Sequence, residues 1–142
     1  MKSDRFEDSE AWQLARKLSL DVYELTRKPR FDRDFGLQRQ IQGASGEAMH
    51  SIAGGLGSDR NNDSLRSLRY AKRSCAEVQS QLYVALDENY VTKGAFEEVY
   101  GHAEKTRATI DDLIKLISER EATRQADRRS RFTQRETANS NW

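Results

Sequence analysis

Apolar residues recur at helical spacing in four successive segments of this chain. Within each segment the steps between them alternate between three and four residues, which places them on one face of an α-helix. The first stripe contains Ala11, Ala15, Leu18, Val22 and Leu25, and the second contains Leu37, Ile41, Ala44, Ala48 and Ile52. The third contains Leu65, Leu68, Ala71, Cys75, Val78, Leu82 and Ala85, and the fourth contains Phe96, Val99, Ala103, Thr106, Ile110, Leu113 and Ile117. The pattern therefore predicts four amphipathic helices.

Short polar stretches separate these segments and supply signals for helix ends. The first helix is expected over residues 8–28, with Asp8 or Ser9 as its N-cap, and it stops before Pro29 because proline disfavours a helical residue in front of it. The second is expected to begin at Phe35 and to stop in the glycines of residues 54–57, which tolerate a left-handed conformation. The third is expected to begin among the candidate N-caps of residues 61–64 and to run to about residue 89, and the fourth to begin near residue 92.

Helices of about 25 residues joined by short loops run antiparallel to their neighbours. The predicted fold class is therefore all-α, an antiparallel up-down-up-down four-helix bundle formed by residues 1–119. The second helix is lined with small residues, namely Gly43, Ser45, Gly46, Ser51, Ala53 and Gly54. Because an interior glycine costs a helix about 1 kcal/mol relative to alanine, this lining indicates close approach of another backbone; the alternative is a weak or bent helix.

Charge divides the chain into two parts. Residues 1–119 carry 18 basic and 20 acidic side chains, whereas residues 120–142 carry six arginines and three acidic side chains, a net charge of +3. Residues 120–142 are therefore predicted to form a basic, arginine-rich C-terminal extension. Ala122 and Ala126 favour continuation of the fourth helix, but residues 133–141 lack an apolar stripe and are predicted to be disordered.

Composition narrows the class of protein further. No apolar run approaches the roughly 18 residues that a membrane-spanning helix needs, and acidic residues follow the N-terminus where a signal peptide would be apolar. We therefore expect a cytoplasmic protein without membrane contact. Cys75 is the only cysteine, so no internal disulfide can form.

Residues that usually carry catalysis are scarce. Glu47 and His50 have the spacing of a di-iron ligand pair, but His102 follows Glu98 by four residues instead of three, so no second pair completes the set. The glycines of residues 54–57 lack the following Lys and Ser or Thr of a phosphate-binding loop. Cys75 lies on an apolar stripe, as a core residue does. The sequence therefore predicts no enzyme, no metal site and no cofactor.

Several short motifs occur in a characteristic order. They are Phe6-Glu7-Asp8 with Trp12 and Ala15, Val22-Tyr23-Glu24-Leu25-Thr26, Phe35-Gly36-Leu37 with Gln40-Ile41, Ser51-Ile52-Ala53 with Gly55, Ala71 with Ser74 and Glu77, and Gln81-Leu82-Tyr83 with Ala85-Leu86-Asp87 and Tyr90. In this order and spacing the chain resembles the four-helix bundle proteins encoded in intervening sequences of bacterial 23S ribosomal RNA genes. That family in turn resembles the accessory variability proteins of diversity-generating retroelements.

The resemblance implies a bundle that assembles as a ring-like homo-oligomer, typically a pentamer, with no established catalytic activity. It also implies partners, because the ring of the retroelement relatives binds a reverse transcriptase and nucleic acid through a basic surface. This chain departs from the family pattern where relatives carry paired basic residues: it has Gln42-Gly43 and Ser58-Asp59 there. Fewer cations are then available to neutralise phosphates.

Two functions are compatible with these features. The favoured one is a non-enzymatic oligomeric scaffold or interaction protein; the alternative is a nucleic-acid-binding accessory factor acting with RNA, DNA or a reverse transcriptase. The candidate nucleic-acid-binding residues are Arg66, Arg69, Lys72, Arg73, Arg124, Arg128, Arg129 and Arg131. Glu77 lies four residues after Arg73, which favours an ordinary ion pair there. Tyr70 lies beside these side chains and is a candidate for stacking on a base or for packing on the bundle.

Overall fold

The computed structural model describes residues 5–140, and most of this range is helical. The helices are α1 (Glu10–Thr26), α2 (Phe35–Leu56), α3 (Asn61–Asp87) and α4 (Lys93–Ser140), with short 3-10 turns at Phe6–Asp8 and Phe31–Arg33. No β-strand occurs between residues 5 and 140. The predicted all-α class and the number of long helices are confirmed.

Each helix packs against two others. α2 lies between α1 and α3, and α4 packs on α3 and α1. The α1–α2 and α3–α4 connections meet at one end of the bundle, where the Arg30 guanidinium donates to the carbonyl oxygens of Glu88 and Asn89 at 3.4 and 3.5 Å. At the other end the Asn61 amide donates to the Glu121 carboxylate. Alternate connections at opposite ends give the antiparallel up-down-up-down bundle that the sequence predicts.

The four predicted stripes form the hydrophobic core. All of their residues are buried except Leu113, which is half-buried and packs against the core. Leu18, Ile41, Leu82 and Ile110, one from each helix, are fully buried. Burial of such side chains, about 1.5–3 kcal/mol each, drives the association of the helices.

One end of the bundle is closed by an aromatic pair. Phe31 lies in the short stretch between α1 and α2, which was expected to be polar, yet it is fully buried. Its ring lies 5.4 Å from that of Tyr90 in the α3–α4 connection. Two residues in these connections, Arg30 and Asn89, have the left-handed backbone conformation. The prediction that a glycine adopts the left-handed conformation at the end of α2 is wrong, because Gly57 has a φ of −84°.

The N-cap position of α1 is Ser9, as predicted, whereas that of α3 is not one of the predicted residues. Ser9 precedes α1 but its side chain makes no capping hydrogen bond, and α3 follows Arg60, which also has no side-chain cap bond. The side chains expected to cap α3 bind elsewhere: Asn61 donates to Glu121, and the Ser64 hydroxyl donates to the Gly55 carbonyl oxygen at 2.7 Å. These polar groups join α3 to α4 and to α2 instead of capping the N-terminus of α3.

Close backbone approach occurs at one point of α2. A Cβ atom on Gly55 would lie 3.1 Å from the Cβ of Ser67 and 3.3 Å from the carbonyl oxygen of Ser64, so α2 and α3 converge there. Gly43, Gly46 and Gly54 have no atoms within 4 Å of the corresponding position. Within the subunit, these three glycines of α2 therefore face open space, whereas Ser45 is buried.

The prediction of disorder over residues 133–141 is wrong as far as Ser140, because α4 continues to that residue; Asn141 lies outside the described residues. Residues 102–140 contain neither glycine nor proline, and 16 of them are arginine, alanine or glutamate, which form helix well. Adding residues to an existing helix costs far less than nucleating one, so the bundled part of α4 supports its own extension. None of the helices between residues 5 and 140 is both long and apolar enough to cross a bilayer.

Candidate nucleic-acid interface

α4 leaves the bundle at Glu121. The last buried apolar side chain of this helix is Ile117, and Glu121 is the last buried residue of any kind. All residues from 122 to 140 are exposed. At 1.5 Å per residue these 19 residues form a helical segment about 28 Å long, called here the C-terminal arm.

Glu121 fixes the start of the arm. Its carboxylate accepts hydrogen bonds from Arg124 at 3.0 and 3.2 Å, from the Asn61 amide at 2.9 Å and from Gln125 at 3.4 Å. These bonds, led by those from Arg124, lower the pKa of the Glu121 carboxyl from 4.5 to about 2. The first turn of the arm is thereby tied to the first residue of α3.

Arginines form a stripe along the arm. Arg124, Arg128, Arg131 and Arg135 follow one another in steps of four, three and four residues, so they share one helical face. Arg124 is engaged by Glu121, whereas Arg128, Arg131 and Arg135 form no ion pair with any residue that the structure describes. Arg129 is also exposed and forms no ion pair with a described residue, but it lies on a different face of the helix. Arg135 was not among the predicted site residues, although its spacing from Arg131 marks it in the sequence.

The candidate residues of α3 divide into two pairs. The Lys72 ammonium binds the Asp111 carboxylate of α4 at 2.9 Å, which lowers the pKa of Asp111, and Arg73 lies 3.8 Å from Glu77. Arg66 and Arg69 are exposed, and no described acidic side chain pairs with them. Arg66 lies five residues after Asn61, so it is close to the end of the bundle from which the arm departs.

Tyr70 is engaged within the subunit. Its hydroxyl donates to the Glu47 carboxylate at 3.0 Å, a bond that raises the pKa of the phenol and links α3 to α2. Glu47 therefore serves this contact instead of pairing with His50. No group of three or more His, Cys, Asp or Glu side chains within residues 5–140 is arranged to hold a metal ion.

The other reactive side chains are held apart. Cys75 is buried, and burial raises the pKa of its thiol from 9.0 to about 12; the charged groups that act on it are Arg107 and Glu104, not a histidine. His102 contacts the Asp21 carboxylate through Nδ1, and Asp21 also accepts a hydrogen bond from Lys17 at 2.7 Å. This cluster joins α4 to α1 and brings no nucleophile to the imidazole.

The fold and the arm together define a class: an antiparallel four-helix bundle whose last helix continues as a basic arm. Residues 7–112 match the family model of the 23S rRNA-intervening sequence proteins, and the chain belongs to that family. The solved structures include a similar bundle, a protein with unknown function from the S23 ribosomal protein family of Bacteroides thetaiotaomicron. It is 13% identical, with a TM-score of 0.69 over 74% of this chain and 95% of its own, so the likeness concerns the fold. No curated protein matches this chain significantly.

The family match ends at residue 112, before the arm begins. The arm is therefore not described by the family model, and its role must be argued from its own residues. Neither the family description nor the similar structure indicates an enzymatic activity.

Proposed function

We propose that this protein is a non-enzymatic nucleic-acid-binding protein that contacts phosphates through its C-terminal arm. The observation that carries the proposal is the alignment of Arg128, Arg131 and Arg135 on one exposed face without ion-pair partners. Guanidinium groups stay charged at physiological pH and donate paired hydrogen bonds to phosphate oxygens. Release of the counterions around a nucleic acid then favours binding. The cytoplasmic location expected from the sequence is part of this proposal.

The shape of the arm supports the same function. Arg128 and Arg135 are about 10 Å apart along the helix axis, which corresponds to about three nucleotides of one strand. None of the bundle residues from 5 onward covers the arm, which leaves its surface open to a nucleic acid. Arg66 and Arg69 are suited to secondary contacts, whereas Lys72 and Arg73 are already engaged by carboxylates.

Two charge-matched variants test the proposal. One replaces Arg128, Arg131 and Arg135 by glutamine, which forms helix about as well as arginine. The other, a control, replaces Arg27, Arg33 and Arg39 by glutamine as well. These are three exposed arginines in and around the α1–α2 connection. Binding of a labelled RNA hairpin and a DNA duplex of equal length is measured by fluorescence anisotropy at low salt, and circular dichroism verifies the helix content.

We expect the arm variant to bind at least about tenfold more weakly than the wild type and the control variant to lose much less. Both proteins have lost the same charge, so a difference between them locates the contact on the arm. Absence of binding by the wild-type protein at low salt would overturn the proposal. Equal losses in the two variants would also overturn it, because they would indicate a general charge effect.

A second proposed function is the oligomeric scaffold, which specific surface residues favour. Leu20 on α1 and Phe35 at the start of α2 are 60% and 65% exposed, and three glycines of α2 face open space. A second copy of the chain would cover apolar side chains and use the close approach that helical glycines permit. The pentameric ring implied by the resemblance remains a proposal, as does a reverse transcriptase as partner.

Light scattering coupled to size exclusion tests the scaffold. We expect a defined oligomer at micromolar concentration, and replacement of Leu20 by aspartate is expected to dissociate it. The exposed Leu116 of α4 offers a control, since its replacement by aspartate introduces the same charge on another helix. A monomeric wild-type protein would exclude this function and leave the nucleic-acid proposal unaffected.

A further inference from the structure

Phe132 is the only large apolar side chain of the arm. Its exposed fraction is 63%, and the other residues between 122 and 140 are polar, charged or alanine. An isolated apolar residue on a helix cannot form the repeated seam of a coiled coil, which needs an apolar residue at every third or fourth position. The arm is therefore not built to pair with a second arm.

Arginines surround this ring. Arg128 and Arg129 precede Phe132 by four and three residues, and Arg135 follows it by three, so all three are its neighbours on the helix surface. The same side chains line one shallow depression together with Phe132. An apolar protein surface placed on the ring would have to desolvate these guanidinium groups without neutralising them.

A nucleic acid satisfies both kinds of group. Its phosphates neutralise arginines, and the face of a base stacks on an aromatic ring. Bases within a continuous duplex are stacked on one another and do not offer a free face. Unpaired bases in the bulges and loops of folded RNA do, and specific RNA recognition uses them widely.

We propose that Phe132 stacks on an unpaired base while the neighbouring arginines bind the phosphates beside it. The preferred ligand is then an RNA stem interrupted by an unpaired nucleotide, not a perfect duplex. This inference rests on the proposed nucleic-acid-binding function and adds the class of ligand to it.

Two RNA hairpins test this inference with the full-length protein. They share one stem sequence, and one of them carries a single-nucleotide bulge. Binding to both is measured for the wild type, for Phe132→Leu and for Phe132→Tyr. The leucine variant keeps an apolar side chain that forms helix well but loses the ring, whereas the tyrosine variant keeps the ring.

We expect the wild type and Phe132→Tyr to bind the bulged hairpin on the order of tenfold more tightly than the paired one. Phe132→Leu is expected to lose this preference and to bind the paired hairpin as the wild type does. Equal binding of both hairpins by the wild type would overturn the inference, as would a preference that Phe132→Leu retains. Either result leaves the phosphate contacts intact, whereas absence of binding to both hairpins would overturn the proposed function itself.

Discussion

The hydroxyl of Tyr90 donates a hydrogen bond to the carboxylate of Asp34 at 3.0 Å, across 56 residues of sequence. The other oxygen of this carboxylate accepts from the backbone N–H of Leu37 and so caps α2. Donation to Asp34 raises the pKa of the Tyr90 phenol. One carboxylate thus caps the N-terminus of α2 and joins the α1–α2 connection to the α3–α4 connection.

Replacement of Asp34 by alanine is expected to lower the free energy of unfolding by about 1 kcal/mol, because the N-cap is lost. Asp34→Asn is the matched control, since asparagine caps a helix as well as aspartate does. Urea denaturation followed by circular dichroism measures both. Equal destabilisation by the two variants would indicate that the second carboxylate oxygen, which carries the bond from Tyr90, matters more than the capping bond.

Glu121 gives the bundle a pH-dependent contact. The pKa of its carboxyl is lowered in the folded protein, so its contribution to stability is present above about pH 4.5 and is lost as the pH falls towards about 2. Melting temperatures of the wild type and Glu121→Gln are compared across this range. We expect the wild type to melt at a higher temperature at neutral pH and the difference to shrink steadily below pH 4.5.

Glutamine retains an acceptor for Asn61 but cannot pair with the Arg124 guanidinium as an ion. The comparison therefore isolates the charged part of the contact from the effects of other carboxylates, which titrate in both proteins. A difference in melting temperature that stays constant from neutral pH to about pH 2 would contradict the assignment of this contact to an ionised Glu121.

Ile110 and Leu116 test the core on a single helix. Ile110 is fully buried, whereas Leu116 is 44% exposed. Ile110→Ala is expected to cost about 2–5 kcal/mol of unfolding free energy, because it leaves a cavity among the four stripes. Leu116→Ala is expected to change it by less than about 0.5 kcal/mol. Similar losses in the two variants would show that α4 packs through a different face.

The thiol of Cys75 is expected to be inert in the native protein. Burial keeps it protonated by raising its pKa to about 12, and only the thiolate attacks alkylating reagents. Iodoacetamide at about pH 8 should therefore modify Cys75 only as fast as the protein opens, and rapidly in urea. Fast modification without denaturant would place the thiol outside the core.

The sequence predicts the core well because burial within a helix follows its own periodicity. Each stripe needs only residues three and four positions apart, so local spacing identifies Leu18, Ile41 and Val78 as core residues. It does not identify contacts such as Asn61 with Glu121, because periodicity does not specify which residues of two helices face each other. Asn61 and Glu121 are 60 residues apart in sequence, and they meet only because the helices pack as a bundle.

The arm shows a different limit of sequence reasoning. Absence of an apolar stripe after Ile117 indicated disorder over residues 133–141, but helix propensity and a preformed bundle segment extend α4 to Ser140. The spacing that aligns Arg131 with Arg135 is visible in the sequence once a helix is assumed. If these residues are taken as disordered, the sequence shows only their net positive charge and not their alignment on one face.

The salt dependence of RNA binding tests the central claim most directly. Each phosphate contact contributes about 0.7–0.9 to the slope of log affinity against log salt concentration. Replacing Arg128, Arg131 and Arg135 by glutamine is therefore expected to reduce this slope by about 2 to 3, while the Arg27, Arg33 and Arg39 variant keeps the wild-type slope. An unchanged slope in the arm variant would show that its arginines do not bind phosphates and would contradict the account.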